Sequence, residues 1–262
     1  MQINLEGKTK EQVAIERLRQ YEPPEGYYLA FSGGKDSVCI YNLALAAGVK
    51  FDAHYSVTGI DPPELVWFIR KEYPTVKFEL PGKSMWRGIA QNGLPTRLQR
   101  WCCRMLKEKG GADRTIITGV RWEESVRRKK QHVKEIRDKK TVIQPIIDWT
   151  LLDVWDFIDS HKLPYCLLYD THFDRLGCIG CPMGNNARIR QFQLYPKIRD
   201  AWYRAAVRYY DAHPHTKIGE SFKSGEEYWQ WWLSDKSKEA GLNQASLGLP
   251  VEEIKALKEL KP

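Results

Sequence analysis

Tyr27-Tyr28-Leu29-Ala30-Phe31-Ser32-Gly33-Gly34-Lys35-Asp36-Ser37 is a short apolar run that empties into two glycines and a lysine. The apolar part has the length and bulk of a buried strand, and Val38-Cys39-Ile40-Tyr41-Asn42-Leu43 continues as a helix beginning near Ser37. A glycine turn between them leaves the first helical amides without intrahelical partners, so they form a cradle for an anion. The helix dipole and the Lys35 side chain add positive charge at the same point. Such a junction asks for a phosphate or pyrophosphate, although the spacing GxxxxGK[ST] does not fit these residues. An ordinary strand–turn–helix connection is the plain alternative.

Outward from this junction, helical periodicity covers residues 9–21 and extends from the glycine loop to Gly48. Strands are expected over 51–57, 76–80, 115–120 and 142–146, with a helix from Glu64 to Tyr73 opened by Pro62-Pro63. Strands separated by helices imply an α/β fold, a mostly parallel sheet with flanking helices that binds ligands at the carboxyl ends of its strands. The loop after the first strand and Gly119-Val120-Arg121 after the fourth then share one rim. Thr150-Leu151-Leu152-Asp153 reads as a capped helix start. Further on, Arg188 to Tyr210 reads as one long helix, Glu226 to Lys238 as a tryptophan-rich one, and Val251 to Leu260 as a short amphipathic one. The expected organisation is an N-terminal helix over 1–22, an α/β domain over 23–185 and a helical C-terminal extension over 186–262.

The 262 residues carry a net charge of +8, which suits anionic ligands without choosing among them. Basic residues crowd between Arg121 and Lys140, as a solvated loop or as a positive lid over a polyanion. No stretch approaches the ~18 apolar residues of a membrane span, and the N-terminal residues have no signal-like core, so a cytoplasmic protein with no membrane contact is expected. Its six cysteines are then reduced thiols. Two pairs, Cys102-Cys103 and Cys178-Ile179-Gly180-Cys181, favour a four-thiolate site for an iron–sulfur cluster or zinc. Cys39 reads as a core thiol and Cys166 as packing or near the site; both stay outside the ligand set.

The run Ser32–Ser37 resembles the PP-loop signature of the adenine-nucleotide alpha-hydrolase superfamily, which includes ATP pyrophosphatases and phosphoadenylylsulfate (PAPS) reductases. Thr118-Gly119-Val120-Arg121-Trp122-Glu123-Glu124-Ser125, with Arg128, resembles the TGxRxxxS…R element of the PAPS reductase family. Gln144-Pro145-Ile146-Ile147-Asp148-Trp149-Thr150 and Leu163-Pro164-Tyr165 resemble its PI-DW and LPY segments, and the cysteine pairs resemble the CC…CxxC pattern of adenylylsulfate (APS) reductases. The resemblance spans about residues 27–185 and implies a Rossmann-like, adenine nucleotide alpha-hydrolase-like fold. It also implies an adenine nucleotide (ATP, PAPS or APS) held by Ser32, Gly33, Gly34, Lys35, Asp36, Ser37, Gly119, Arg121, Ser125 and Arg128. For Cys102, Cys103, Cys178 and Cys181 it implies a 4Fe–4S cluster, with zinc as the alternative.

Two departures tilt the substrate towards ATP. Sulfonucleotide reductases attack with a cysteine near the C-terminus in a motif like ECGxH, whereas no cysteine follows Cys181 here. APS reductases also deviate from the GGKDS form, which enzymes splitting ATP into AMP and pyrophosphate tend to keep. In such an enzyme Lys35 stabilises the leaving pyrophosphate, Asp36 binds Mg²⁺, and Arg121 and Arg128 grip phosphate oxygens. The parts resemble those of the PP-loop subunit of DNA phosphorothioation systems and of cluster-containing tRNA thiolases. A sulfur-transfer enzyme is therefore expected, with a nucleic-acid acceptor, a sulfur- or thiol-donor protein and an oligomer among its partners. The alternatives are a PAPS or APS reductase served by an external thiol, and a non-catalytic nucleotide-binding module. Asp61-Pro62-Pro63-Glu64 borders the adenosine pocket or merely starts a helix, His172 is a packed or solvated imidazole, and Trp229 to Trp232 belong to a core or, in the non-catalytic module, to an interaction face.

Overall fold

The computed structural model describes residues 7–137, 140–171, 173–184 and 187–234. In chain order its elements are α1 Lys10–Gln20, β1 Tyr27–Ala30, α2 Lys35–Ala47, β2 Phe51–Ser56, α3 Pro63–Glu72 and β3 Lys77–Glu79. They continue with α4 Met85–Asn92, α5 Trp101–Leu106, β4 Ile116–Ile117, β5 Lys134–Arg137, β6 Lys140–Ile143 and α6 Leu151–Ser160. The last are α7 Ala187–Leu194, α8 Pro196–Ala212, α9 Lys217–Ser221 and α10 Gly225–Leu233.

These elements form two compact units. The first comprises residues 7–57, 62–80 and 109–177 among those described. It holds a six-stranded sheet in the order β3-β2-β1-β4-β6-β5, parallel except for the β5–β6 pair. Tyr28 on central β1 faces Asp52 of β2 in register and Ile116 of β4 on the other side. Two helices of this unit start at capping boxes, of which the one at Thr150 was expected from the sequence. Thr9 caps α1 in a reciprocal box with Gln12, and Thr150 caps α6 in the same way with Asp153. The antiparallel β5, not expected from the sequence, occupies the sheet edge with an exposed Ile136 beside Lys134, a cationic edge of the kind that discourages strand addition.

The second unit comprises 58–61, 81–108 and 178–234 among the described residues. Its core is aromatic. Trp202 of α8 stacks on Trp232 of α10 at 4.9 Å, with Phe192, Trp229 and Tyr228 around them. Arg188 is almost wholly buried here, its guanidinium 4.3 Å over the Trp232 ring and donating to the Trp232 carbonyl at 2.7 Å. The tryptophans thus lie in a core, as their spacing implied. The expected single helix from Arg188 to Tyr210 is corrected to two, because Pro196 has no amide to continue α7 and instead takes the first-turn position of α8. The partition also differs from the expected 23–185 domain. Segments 81–108 and 178–184, with all four paired cysteines, cluster with the helical C-terminal part because Ile89, Trp101 and Ile179 bury themselves in its aromatic core. The expected helix over 251–260 and the reading of His172 lie outside the described residues.

A charged network ties β2 in the first unit. Asp52 accepts from Arg114 at 2.6 Å, His54 Nε2 at 2.6 Å and Lys77 at 3.1 Å, while Glu79 takes the Tyr28 hydroxyl at 2.8 Å. Burial alone would raise the Asp52 carboxyl, but these donors outweigh it and hold the group well below the usual carboxylate range. A depressed folded-state value means the stabilisation is complete above the unfolded value of ~3.9 and is lost as pH falls below it. Urea-unfolding curves between pH 7 and pH 3 should therefore show stability falling on the acid side, and Asp52→Asn should be less stable at pH 7 with a shallower acid loss. An unchanged acid limb would show that Asp52 contributes nothing to it.

Candidate functional site

Gly33 sits at φ +73° between β1 and α2, and a Cβ there would lie 2.7 Å from Leu65 and Ile69 of α3. Only glycine allows both the left-handed turn and this approach. Gly34 caps α2 with extended backbone and no side-chain bond, which leaves the helix amides pointing out of the sheet rim. Their partners are side chains of the same unit. Gly34 N–H donates to Ser32 Oγ at 3.3 Å, Lys35 N–H to the Tyr169 hydroxyl at 3.0 Å, and Ser37 Oγ to the Gly34 carbonyl at 2.7 Å.

Three charged side chains stand at this helix start. Lys35 is 5% exposed, its ammonium donating to the Asp174 carbonyl at 3.3 Å, 3.7 Å from Asp36 and 5.1 Å over the Tyr169 ring. Burial pulls the Lys35 ammonium below its ordinary range, with Asp36 opposing. Arg121, 4% exposed, donates from Nε to Asp36 at 2.5 Å and from one terminal nitrogen to Glu123 at 2.8 Å. Gly119, at the exit of β4, lies so near α2 that a Cβ would meet the Asp36 carbonyl oxygen at 2.9 Å. The structure therefore brings Ser32–Ser37, Gly119 and Arg121 together, as the shared rim required. Ser125 is exposed beyond this cluster, and Arg128, half-buried at the start of a short 3-10 turn, pairs with Glu124 while its amide donates to Ser125 Oγ at 3.3 Å. Tyr169, four residues past the Leu163-Pro164-Tyr165 segment, was not singled out in the sequence, yet it contacts both the amide and the ammonium of Lys35. Burial raises its hydroxyl above the ordinary phenol range, so it stays protonated and keeps a proton to donate onward.

The four paired cysteines belong to the second unit. On α5 both vicinal thiols are half-buried; Cys102 packs against the aromatic core beside Trp101 and Leu106, and Cys103 accepts from the Arg100 guanidinium at 3.4 Å. The hydrogen bond between the two free thiols drives Cys103 down, helped by Arg100 against burial, and Cys102 up. Cys178 and Cys181 flank Gly180, which at φ +77° turns the chain so tightly that a Cβ would strike Phe192 at 2.4 Å. Desolvation pushes the Cys178 thiol up to about 12, while the Lys107 ammonium opposes. Lys107 is exposed as a residue, yet its charged end is held by Cys178 and Asp61, which outweigh desolvation and raise it. Asp61 itself accepts from the Thr58 hydroxyl at 2.7 Å and belongs to this unit. Cys39 and Cys166 are buried core thiols.

The all-sulfur donor set is soft, and the field of Cys103, Cys178 and Cys181 reaches Cys102, so the four thiols share one neighbourhood. Among the described residues no three His, Cys, Asp or Glu side chains converge as a single-ion site would require.

The model of the phosphoadenosine phosphosulfate reductase domain matches residues 26–183. An uncharacterized protein of Methanocaldococcus jannaschii is 31% identical over 223 residues, 78% of this chain and 45% of its own. The adenosine 5'-phosphosulfate reductase of Staphylococcus haemolyticus is 36% identical over 159 residues, 54% of this chain and 63% of its own. The crystal structure of PAPS reductase from Candida auris, a phosphate complex, superposes with a TM-score of 0.50 at 17% identity, covering 68% of this chain and 97% of that one, and shows the shared fold. The chain spans about half the length of the first curated relatives it matches, 45% and 53%. No helix among the described residues is long and apolar enough to cross a membrane.

Gly119→Ala should push the β4 exit away from α2, weakening urea stability by about 1–3 kcal/mol. Calorimetric titration should show pyrophosphate affinity falling at least tenfold; equal affinity would place the anion elsewhere.

Proposed function

Since the chain belongs to the phosphoadenosine phosphosulfate reductase domain family, we propose that its α2 cradle binds an adenine nucleotide, and that the nucleotide is ATP, split to AMP and pyrophosphate to activate an acceptor for sulfur transfer. The observation that carries this reading is Asp36, a carboxylate placed inside a phosphate cradle beside Lys35 and Arg121. A bare carboxylate repels an anion. Asp36 would hold Mg²⁺, which would supply the positive charge that lets a carboxylate stand beside a triphosphate.

In this mechanism the amides of α2 and the Lys35 ammonium hold the β- and γ-phosphates and take up charge on the leaving pyrophosphate. Arg121 exchanges its Asp36 contact for the α-phosphate, whose oxygens match its forked donors. An acceptor oxygen attacks the α-phosphorus as the bond to the β-phosphate oxygen breaks. Sulfide-level sulfur from a donor protein then displaces AMP, which leaves with the acceptor oxygen, so no net oxidation occurs. Cys102, Cys103, Cys178 and Cys181 would hold a 4Fe–4S cluster, which supplies a redox-active, sulfur-rich centre when bound. The cytoplasm, where thiols stay reduced, suits such a site.

A second reading is favoured by the relatives named adenosine 5'-phosphosulfate reductase. Here APS or PAPS would occupy the same cradle, and two external thiols would supply two electrons, giving sulfite, the nucleoside phosphate and a disulfide. Anaerobic protein given ATP, APS and PAPS in turn separates the two. The ATP reading expects AMP and pyrophosphate, with Lys35→Ala and Arg121→Ala about 10²–10³-fold slower. Sulfite from APS or PAPS with a thiol would overturn it, and bound nucleotide with no turnover would mark a non-catalytic binding module. Absorbance near ~400 nm that disappears in Cys178→Ala is the expected sign of the thiolate cluster; a colourless protein retaining zinc would reject it.

A further inference from the structure

The donors at the start of α2 are not equally open. Gly34 N–H is taken by Ser32 Oγ at 3.3 Å, and the Ser32 and Ser37 hydroxyls close on one another and on the Gly34 carbonyl. Lys35 N–H is taken by the Tyr169 hydroxyl at 3.0 Å. The amides of Asp36 and Ser37, which come next, have no acceptor among the described residues. One further donor is left over. The Tyr169 oxygen accepts from Lys35, and its own proton meets no acceptor among the described residues.

Several contacts hold that hydroxyl in place. The Tyr169 ring stands edge-on to Trp155 at 5.3 Å, and the Lys35 ammonium lies 5.1 Å over it. A Cβ on Gly34 would come within 3.2 Å of the hydroxyl oxygen, so the glycine leaves room for it. Burial, against the pull of the Lys35 and Leu176 amides, keeps the phenol protonated. An amide donating into the oxygen polarises the O–H bond and strengthens the donor on its far side. The hydroxyl thus carries the polarity of the Lys35 amide about 2.7 Å outward, one hydrogen-bond length beyond the helix itself. A lone phosphate filling the Asp36 and Ser37 amides leaves this proton unused, whereas a second phosphoryl group joined to the first can accept it.

We propose that Tyr169 is a phosphate-binding residue whose hydroxyl donates to a second phosphoryl group, so that the α2 cradle selects a phosphoanhydride, a di- or triphosphate, over a single phosphate. This role rests on the proposed phosphate cradle of α2, and it adds the residue that reads the length of the phosphate chain. Two other roles compete with it. A cap would do no more than satisfy the Lys35 amide, and a placeholder would occupy an oxygen position that the anion later takes.

The test is calorimetric titration of the full chain, purified anaerobically, with inorganic pyrophosphate and with orthophosphate. Tyr169→Phe keeps the ring against Trp155 and under the Lys35 ammonium, and removes only the hydroxyl. Its pyrophosphate affinity should fall about 10- to 100-fold, as for a lost hydrogen bond to a charged group, with orthophosphate affinity held within about twofold. Tyr169→His, which retains a ring N–H, should recover part of the pyrophosphate affinity. Unchanged pyrophosphate affinity in a folded Tyr169→Phe protein overturns the proposal and leaves a cap. Tighter pyrophosphate binding also overturns it, as the mark of a displaced placeholder. Equal loss for both anions assigns Tyr169 to the shape of the turn and likewise overturns it. Where Tyr169→Phe does not fold, Tyr169→His decides alone: preference for pyrophosphate over orthophosphate upholds the proposal, and equal affinity for the two overturns it. Unaltered protein that binds neither anion removes the cradle reading itself, and the role of Tyr169 with it.

Discussion

Missing side chains at Gly33 and Gly119 let three stretches of backbone meet around the first turn of α2. Leu65 and Ile69 fill the space a Cβ on Gly33 would need, and the Asp36 carbonyl fills that of Gly119. The sheet order around β1 follows from the same crowding, because β4 must lie next to β1 for its exit to touch the helix that β1 feeds. A helix terminus held this tightly cannot fray, so its amides stay aimed. What the glycines give up in chain entropy returns as a backbone turn already in place, around which side chains such as Arg121 change partners when an anion arrives.

Charge placement around that turn obeys a stricter rule than charge on the protein surface. Lys35 and Arg121 are both nearly out of water, and each would be costly alone. Asp36 answers both, with Glu123 taking a second Arg121 donor and the Asp174 carbonyl a Lys35 proton. The ion triad is therefore closed without a ligand, and an incoming phosphate has to offer each cation more than Asp36 already does. The second unit solves the opposite problem. Its thiols are sources of negative charge, and Arg100 and Lys107 stand next to them.

Much of this was legible because it rests on local rules. The Ser32–Ser37 loop, the capped helix start at Thr150 and the parallel strands follow from spacing and residue type. Gly119 and Arg121 could be placed on the loop's rim because strand order constrains where a β-strand delivers its end. Tyr169 and Asp174 escaped notice because their contact with Lys35 is made across more than 130 residues, 134 and 139, and no periodicity encodes it. The split between α7 and α8 turned on one proline inside an otherwise unbroken helical pattern. The assignment of the cysteines to the aromatic unit depended on which core Trp101 and Ile179 join, a question of packing that composition leaves open.

The chain passes between its two compact units at 57/58, 61/62, 80/81, 108/109 and 177/178. Neither unit is a continuous piece of sequence, so their order of completion during synthesis is constrained. Cys102 and Cys103 leave the ribosome roughly 75 residues before Cys178 and Cys181, an interval of about 4–15 s at ~5–20 residues per second. Through that interval the vicinal thiols have neither their partner cysteines nor the core that α7, α8 and α10 later build around Trp101. The half-made protein thus carries its first thiol pair exposed before the sequence that completes their site exists.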